Sequence, residues 1–178
     1  MTDFRYDITK QGSRGLRNNN PGNLKQGGPA WYGQVGVDNT GTVIFDSVEN
    51  GLRALAIDLV NKQRLHGYDT LKSIFNIYAP VSDGNNPDEY ALSVGNEIGI
   101  GPNESFTINS NNVKALMRAV INVEVSRYLS QYVTDQMISD GAAAVPGPIM
   151  AFLNKQSVQI GMSVLFLVAI AVYIKRHN

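Results

Sequence analysis

The sequence predicts a mainly α-helical domain with a minor β element, followed by one C-terminal transmembrane helix. Three observations carry this. Apolar residues recur at helical spacing between Ser47 and Ile138, behind residues suited to capping helices. The stretch Gly27 to Phe45 is instead rich in glycine and β-branched residues, with Val43-Ile44-Phe45 as a candidate strand in a small hairpin. Finally, Val158 to Ile174 carries no charge at all.

The helices follow in order. Ser47 is placed to cap a helix with Leu52, Leu55, Ala56, Leu59 and Val60 on one face, which Gly67 ends. Thr70 caps a short helix through Ile74, Phe75 and Tyr78, stopped before Pro80 because a residue preceding proline avoids helical geometry. Asn86-Pro87-Asp88-Glu89 combines a capping residue, a proline at the first helical position and acid in the first turn, and this helix runs toward Ile98. Ser110 is expected to open the longest helix, through Val113, Leu116, Met117, Val120 and Ile121 to Val125. Arg127 to Ile138 then continues as one helix or as two pieces.

As a helix, Val158–Ile174 would span ~25 Å at ~1.5 Å per residue, slightly short of a ~30 Å hydrocarbon core. Tyr173 lies near one end, and Lys175, Arg176 and His177 follow, which predicts a C-terminus on the cytoplasmic side or the equivalent face of a viral membrane. The polar N-terminus, with its acidic residues, is unlike a secretory signal. The expected organisation is an N-terminal arm (1–13), a globular domain (14–140), an Ala/Pro/Gly linker (141–157), the membrane span (158–174) and a basic tail (175–178).

Composition removes several classes of chemistry. The 178 residues carry 15 basic and 15 acidic side chains, so the basic excess that nucleic acid binding requires is missing. There is no cysteine, which excludes thiolate nucleophiles and Cys-ligated zinc. With only His66 and His177, no multi-histidine metal site can be built, and no cofactor is implied. Chemistry here must run on carboxylates, hydroxyls, amides or amines.

The most patterned segment is Arg14-Gly15-Leu16-Arg17-Asn18-Asn19-Asn20-Pro21-Gly22-Asn23-Leu24-Lys25. Its asparagines offer several neutral donors and acceptors over a short span, suited to sugar hydroxyls and acetamido groups, or simply to an Asx-rich turn. It holds no group that exchanges a proton near neutral pH, so an acid must come from elsewhere. Glu124 follows Ile121 by three residues and Val120 by four, and therefore falls on the apolar stripe of its helix. A lone carboxylate there is costly unless protonated, the environment a general acid needs, or unless paired, for instance with Arg53 or Arg118. Glu49 is the second candidate, although an acid in the first turn of a helix commonly serves the helix itself. Trp31 and Tyr32 could stack on sugars and Tyr78 could offer a hydroxyl, while core packing is the commoner use of each.

The Arg14–Leu24 motif resembles the opening signature of a family of bacteriophage virion proteins, the structural protein P5-like family, related to lysozyme-like lytic transglycosylases. The likeness continues through Trp31 and Gly33, Phe45 to Ala54 (F-D-S-V-E-N-G-L-R-A), Tyr78-Ala79-Pro80, Asp88-x-Tyr90 and Met117 to Ile121, covering residues 14 to about 144. It implies a lysozyme-like α+β fold that cleaves peptidoglycan glycan strands when the genome enters the cell. Glu124 occupies the glutamate of a His-Glu-Asn-Gly motif in the related proteins, but its neighbours here are Val123, Val125 and Ser126. The candidate sugar-binding residues are Arg17, Asn19, Asn20, Asn23, Trp31 and Tyr78, with Glu124 as the first candidate acid and Glu49 as the second, whether as acid or as a stabilising carboxylate. Because the asparagine motif precedes the acid, the expected domain is circularly permuted, with the Glu124 helix beside the Asn18–Asn23 loop. A hydrolase would need a second carboxylate, for which Asp38, Asp46 and Asp135 are available; a transglycosylase needs only one acid. The partners implied are peptidoglycan, a viral or host inner membrane and other capsid proteins. The alternatives are a non-catalytic virion membrane protein that binds cell wall or capsid partners, and a host-lysis protein.

Overall fold

A computed structural model describes residues 12–143, which belong to a compact unit ending at Val145. In order, the elements are α1 (Arg14–Arg17), β1 (Gln34–Val37), β2 (Val43–Phe45), α2 (Val48–His66), α3 (Leu71–Tyr78), a 3-10 turn (Val81–Asp83), α4 (Pro87–Ile98), α5 (Val113–Val125), α6 (Arg127–Ser130) and α7 (Asp135–Ala142). The protein is mainly helical with one two-stranded antiparallel sheet.

Local chemistry sets most boundaries. Ser47 accepts from the Asn50 amide and opens α2, and Gly67, at φ 72°, closes it in the left-handed region that glycine adopts freely. Thr70 and Ser73 form a reciprocal capping box at α3. Asn86 caps α4 behind Pro87, and Gly99 ends it. The longest helix among the described residues is α2, with 19 residues, not α5, which has 13 and starts at Val113 after Asn112. The segment after α5 divides into two pieces. Gly141 and Ala142, expected in the linker, instead finish α7, where Gly141 lets α2 approach so closely that an added Cβ would lie 2.7 Å from the Leu52 Cβ.

The core gathers Leu52, Leu55 and Leu59 of α2, Ile74 and Phe75 of α3, Val94 of α4 and Leu116, Met117, Val120 and Ile121 of α5, all buried. Helix α2 packs against α7, α3 against α4, and α4 against α5, while α1 touches α5. Each helix thus buries one stripe and leaves the other to water.

The transmembrane helix in the expected fold class is not borne out. No helix among the described residues is long and apolar enough to cross a membrane. Val158–Ile174, the span expected to do so, lies outside the described residues, as do the arm up to residue 11 and the linker from residue 144.

The asparagine motif extends the small sheet. The Val43 amide donates to the Leu24 carbonyl and the Phe45 amide to the Asn18 carbonyl, both at 2.9 Å, so the motif lies along β2. Asparagine side chains supply further pairing: Asn20 Nδ2 donates to the Val43 carbonyl at 2.9 Å and Asn19 Nδ2 to the Phe45 carbonyl at 3.0 Å. Asn19 and Asn23 take φ of 52° and 48°, a region asparagine tolerates better than most residues. Helix α2 closes on this loop at Gly51, where an added Cβ would fall 1.9 Å from the Asn19 carbonyl oxygen.

Candidate functional site

A cleft of about 750 Å³ opens between the end of the asparagine motif, the Gly27–Trp31 loop, α2, the end of α3 and α5. Trp31 and Tyr78 line it, with Asn23 and Glu124. The first turn of α1 contributes Arg14, and the motif contributes Lys25. Asp58 and Lys62 come from α2, and Asp83 from the 3-10 turn.

Glu124 lies at the C-terminal end of α5, part-buried, with each carboxylate oxygen held by one donor. Asn23 Nδ2 donates to Oε2 at 2.8 Å, and the Tyr90 hydroxyl donates to Oε1 at 2.9 Å. Asn23 and Glu124 stand 101 residues apart in the chain, so their contact is a product of the fold. Burial pushes the Glu124 carboxyl above its ordinary value. The hydrogen bonds from Asn23 and Tyr90, and the charges of Arg14 and Lys25, pull the other way without cancelling the rise. The ion pair expected as the alternative does not form with either arginine. Arg118 pairs with Asp135 at 2.6 Å, and the Arg53 guanidinium lies 5.2 Å from the Tyr32 ring centre.

Behind Glu124 stands an aromatic stack. Phe75 packs on Tyr90 with ring centres 4.4 Å apart, and Tyr78 meets both rings edge-on at 5.8 Å and 6.1 Å. These rings keep water from one side of the carboxyl and fix the Tyr90 hydroxyl against it. The Tyr78 hydroxyl donates to the Gly22 carbonyl, tying α3 to the motif. Burial raises the Tyr78 and Tyr90 phenols well above their ordinary values, so both stay protonated donors; the nearby charge of Glu124 adds to each shift, and that of Asp58 adds to the shift of Tyr78. Asp58 holds Lys62 through both oxygens at 2.8 Å, and that ammonium lies 5.4 Å from the Tyr78 ring centre.

The remaining candidates separate. Asn20 is fully buried; its amide donates to the Leu24 and Val43 carbonyls and accepts from the Leu24 amide. Asn19 is 2% exposed and spent on Phe45. Neither lines the cleft, and their role is architectural. Arg17 also lies outside it, donating to the Gly12 carbonyl, and Tyr32 is 73% exposed under Arg53. Glu49 remains in the first turn of α2, away from the cleft lining. Of the carboxylates available as a second group, Asp38 organises the hairpin turn through Thr40, Thr42 and Asn18, Asp46 accepts from Asn50, and Asp135 pairs with Arg118. None lines the cleft, whereas Asp58 and Asp83 do. Tyr90, Asp58 and Lys62 were not among the residues expected at the site. Only Tyr90 carried a signal, as part of Asp88-x-Tyr90.

No group of three or more histidine or carboxylate side chains among the described residues is placed to hold a metal ion. The arrangement offers one carboxyl with raised proton affinity, two fixed donors on it, and an open cleft edged by an aromatic ring. It can hand a proton to an oxygen bound in the cleft and take one back.

The chain is 32% identical over 118 residues to Protein P5 of Pseudoalteromonas phage PM2, an alignment spanning 64% of this chain and 72% of the relative. The chain belongs to this phage protein's family. No family model matches it. Membership of the P5 family relates this chain to a phage protein.

Proposed function

We propose that this P5-family protein is a virion component that cleaves the glycan strands of peptidoglycan when the phage genome enters the cell, with Glu124 as the acid and base. The observation that carries this reading is the Glu124 carboxyl, part-buried at the cleft and held between Asn23 and Tyr90. A protonated Glu124 would donate to the leaving glycosidic oxygen, a step worth about 10²–10⁴-fold in rate. As a carboxylate it would then take the proton from the C6 hydroxyl of the muramoyl sugar, whose oxygen closes a 1,6-anhydro ring. A hydrolase of the inverting type would require a second free carboxylate about 6.5–9.5 Å away. Of the two other carboxylates on the cleft, Asp58 is engaged by Lys62, which leaves Asp83 as the group an inverting hydrolase would have to use.

The test is release of soluble fragments from purified peptidoglycan by the full-length chain. Glu124→Gln is expected to lower the rate at least ~100-fold, while Glu49→Gln retains it. Equal loss in both variants, or loss only in Glu49→Gln, would contradict the assignment. A wild-type chain that binds peptidoglycan without releasing fragments would favour a non-catalytic virion role, a reading supported by the departure of Val123, Val125 and Ser126 from the related pattern.

A further inference from the structure

We propose that Arg14 and Lys25 form a docking point for a carboxylate carried on the glycan, so that the cleft takes acidic, peptide-bearing strands in preference to neutral ones. This rests on the glycan-cleaving reading and specifies its substrate.

Both side chains line the cleft that holds Glu124, and both are anchored to one residue of the hairpin turn. Arg14 Nη1 donates to Thr40 Oγ1 at 2.7 Å, and Lys25 Nζ donates to the Thr40 carbonyl at 2.8 Å. Thr40 therefore brings two cations from opposite ends of the motif to one place and fixes their side chains. Each hydrogen bond uses a single donor, and an arginine carries five and a lysine three, so both retain donors for a ligand. Among the described residues the ion pairs are Lys62–Asp58, Lys72–Asp88, Arg118–Asp135 and Arg127–Glu97, and neither Arg14 nor Lys25 belongs to one.

The acidic groups nearby are engaged otherwise. Asp38 accepts from Thr40, Thr42 and Asn18, which hold its carboxyl well below the usual range despite some desolvation. Asp58 is neutralised by Lys62, which leaves Glu124 and Asp83 as the other acids on the cleft. The charges of Arg14 and Lys25 also reach the Glu124 carboxyl, whose proton affinity they lower. A neutral sugar polymer gains little from two cations so placed. A guanidinium fork beside an ammonium suits a carboxylate, and peptidoglycan stem peptides carry several.

The single tryptophan, Trp31, lines the same cleft and reports occupancy directly. The full-length chain is titrated at low salt, by Trp31 fluorescence, with chitotetraose and with a peptidoglycan tetrasaccharide bearing its stem peptides. The acidic ligand is expected to bind roughly five- to tenfold tighter, and this preference should vanish in Arg14→Gln/Lys25→Gln and fade in high salt. Chitotetraose affinity should stay unchanged in that variant, which also shows that it folds. Equal affinities in the wild type, a preference surviving in the double variant, or no response to either ligand would overturn the docking point. Discrimination by a wild-type chain that releases no fragments would uphold the docking and remove the cleavage.

Discussion

At the scale of single residues, Asn20 and Glu124 show how one segment divides its work. The asparagines read from sequence either as sugar-binding groups or as an Asx-rich turn, because an amide that suits an acetamido group equally suits a backbone carbonyl. The fold decides between them, and Asn20 spends its side chain on Leu24 and Val43. Asn20→Ala should cost about 2–4 kcal/mol in urea unfolding, since three buried backbone partners lose their mate. Ligand-induced Trp31 fluorescence, measured below the melting transition, should change little. Asn23 alone of the candidate asparagines reaches the acid. Tyr90 has the opposite history, being missed as a site residue because its partner lies 34 positions away. Its hydroxyl stabilises the ionised form of Glu124, so Tyr90→Phe removes a bond that lowers the carboxyl's pKa. The folded pKa then rises further, and Glu124 stays protonated to higher pH. The alkaline limb of kcat/KM for fragment release should move up in pH, while the ring keeps its stack on Phe75. A limb that moves down would contradict the role given to Tyr90.

At the scale of elements, the junction between α5 and α6 sets where Glu124 sits. Ser126 adopts φ 70° and ψ 149°, a conformation that glycine takes freely and serine takes at a cost of about 1–3 kcal/mol. Its turn ends α5 just beyond Glu124 and sends the chain into α6. Ser126→Gly is expected to raise stability by about 1 kcal/mol in chemical denaturation, and a loss of stability would show that the serine is not strained. Sequence foresaw one or two pieces after Val125 because nothing local announces a left-handed serine. Caps were more legible: Ser47, Thr70, Asn86, Gly67 and Gly99 mark their helix ends through bonds or dihedrals that depend on a few neighbouring residues. The start of α5 was misjudged by three residues, since Ser110, Asn111 and Asn112 all resemble caps and the Asn109–Asn112 turn takes the first two out of the helix.

At the scale of the molecule, the cleft exists because segments distant in sequence close around a short sheet. The motif pairs with β2, α2 seals over it at Gly51, and α5 brings its last turn against Asn23. Glu124 could be picked from sequence because a carboxylate on an apolar stripe is conspicuous wherever it occurs. Asp58 and Lys62 could not, since an acid and a lysine four apart on a helix ordinarily read as a solvated pair. The central claim is that Glu124 alone moves the proton. It is tested most directly by mass spectrometry of fragments released from peptidoglycan by the full-length chain. The expected products carry 1,6-anhydro ends, lighter by one water than hydrolysed ends, and they disappear in Glu124→Gln. Products of ordinary hydrolysed mass, or anhydro products persisting in Glu124→Gln, would contradict it.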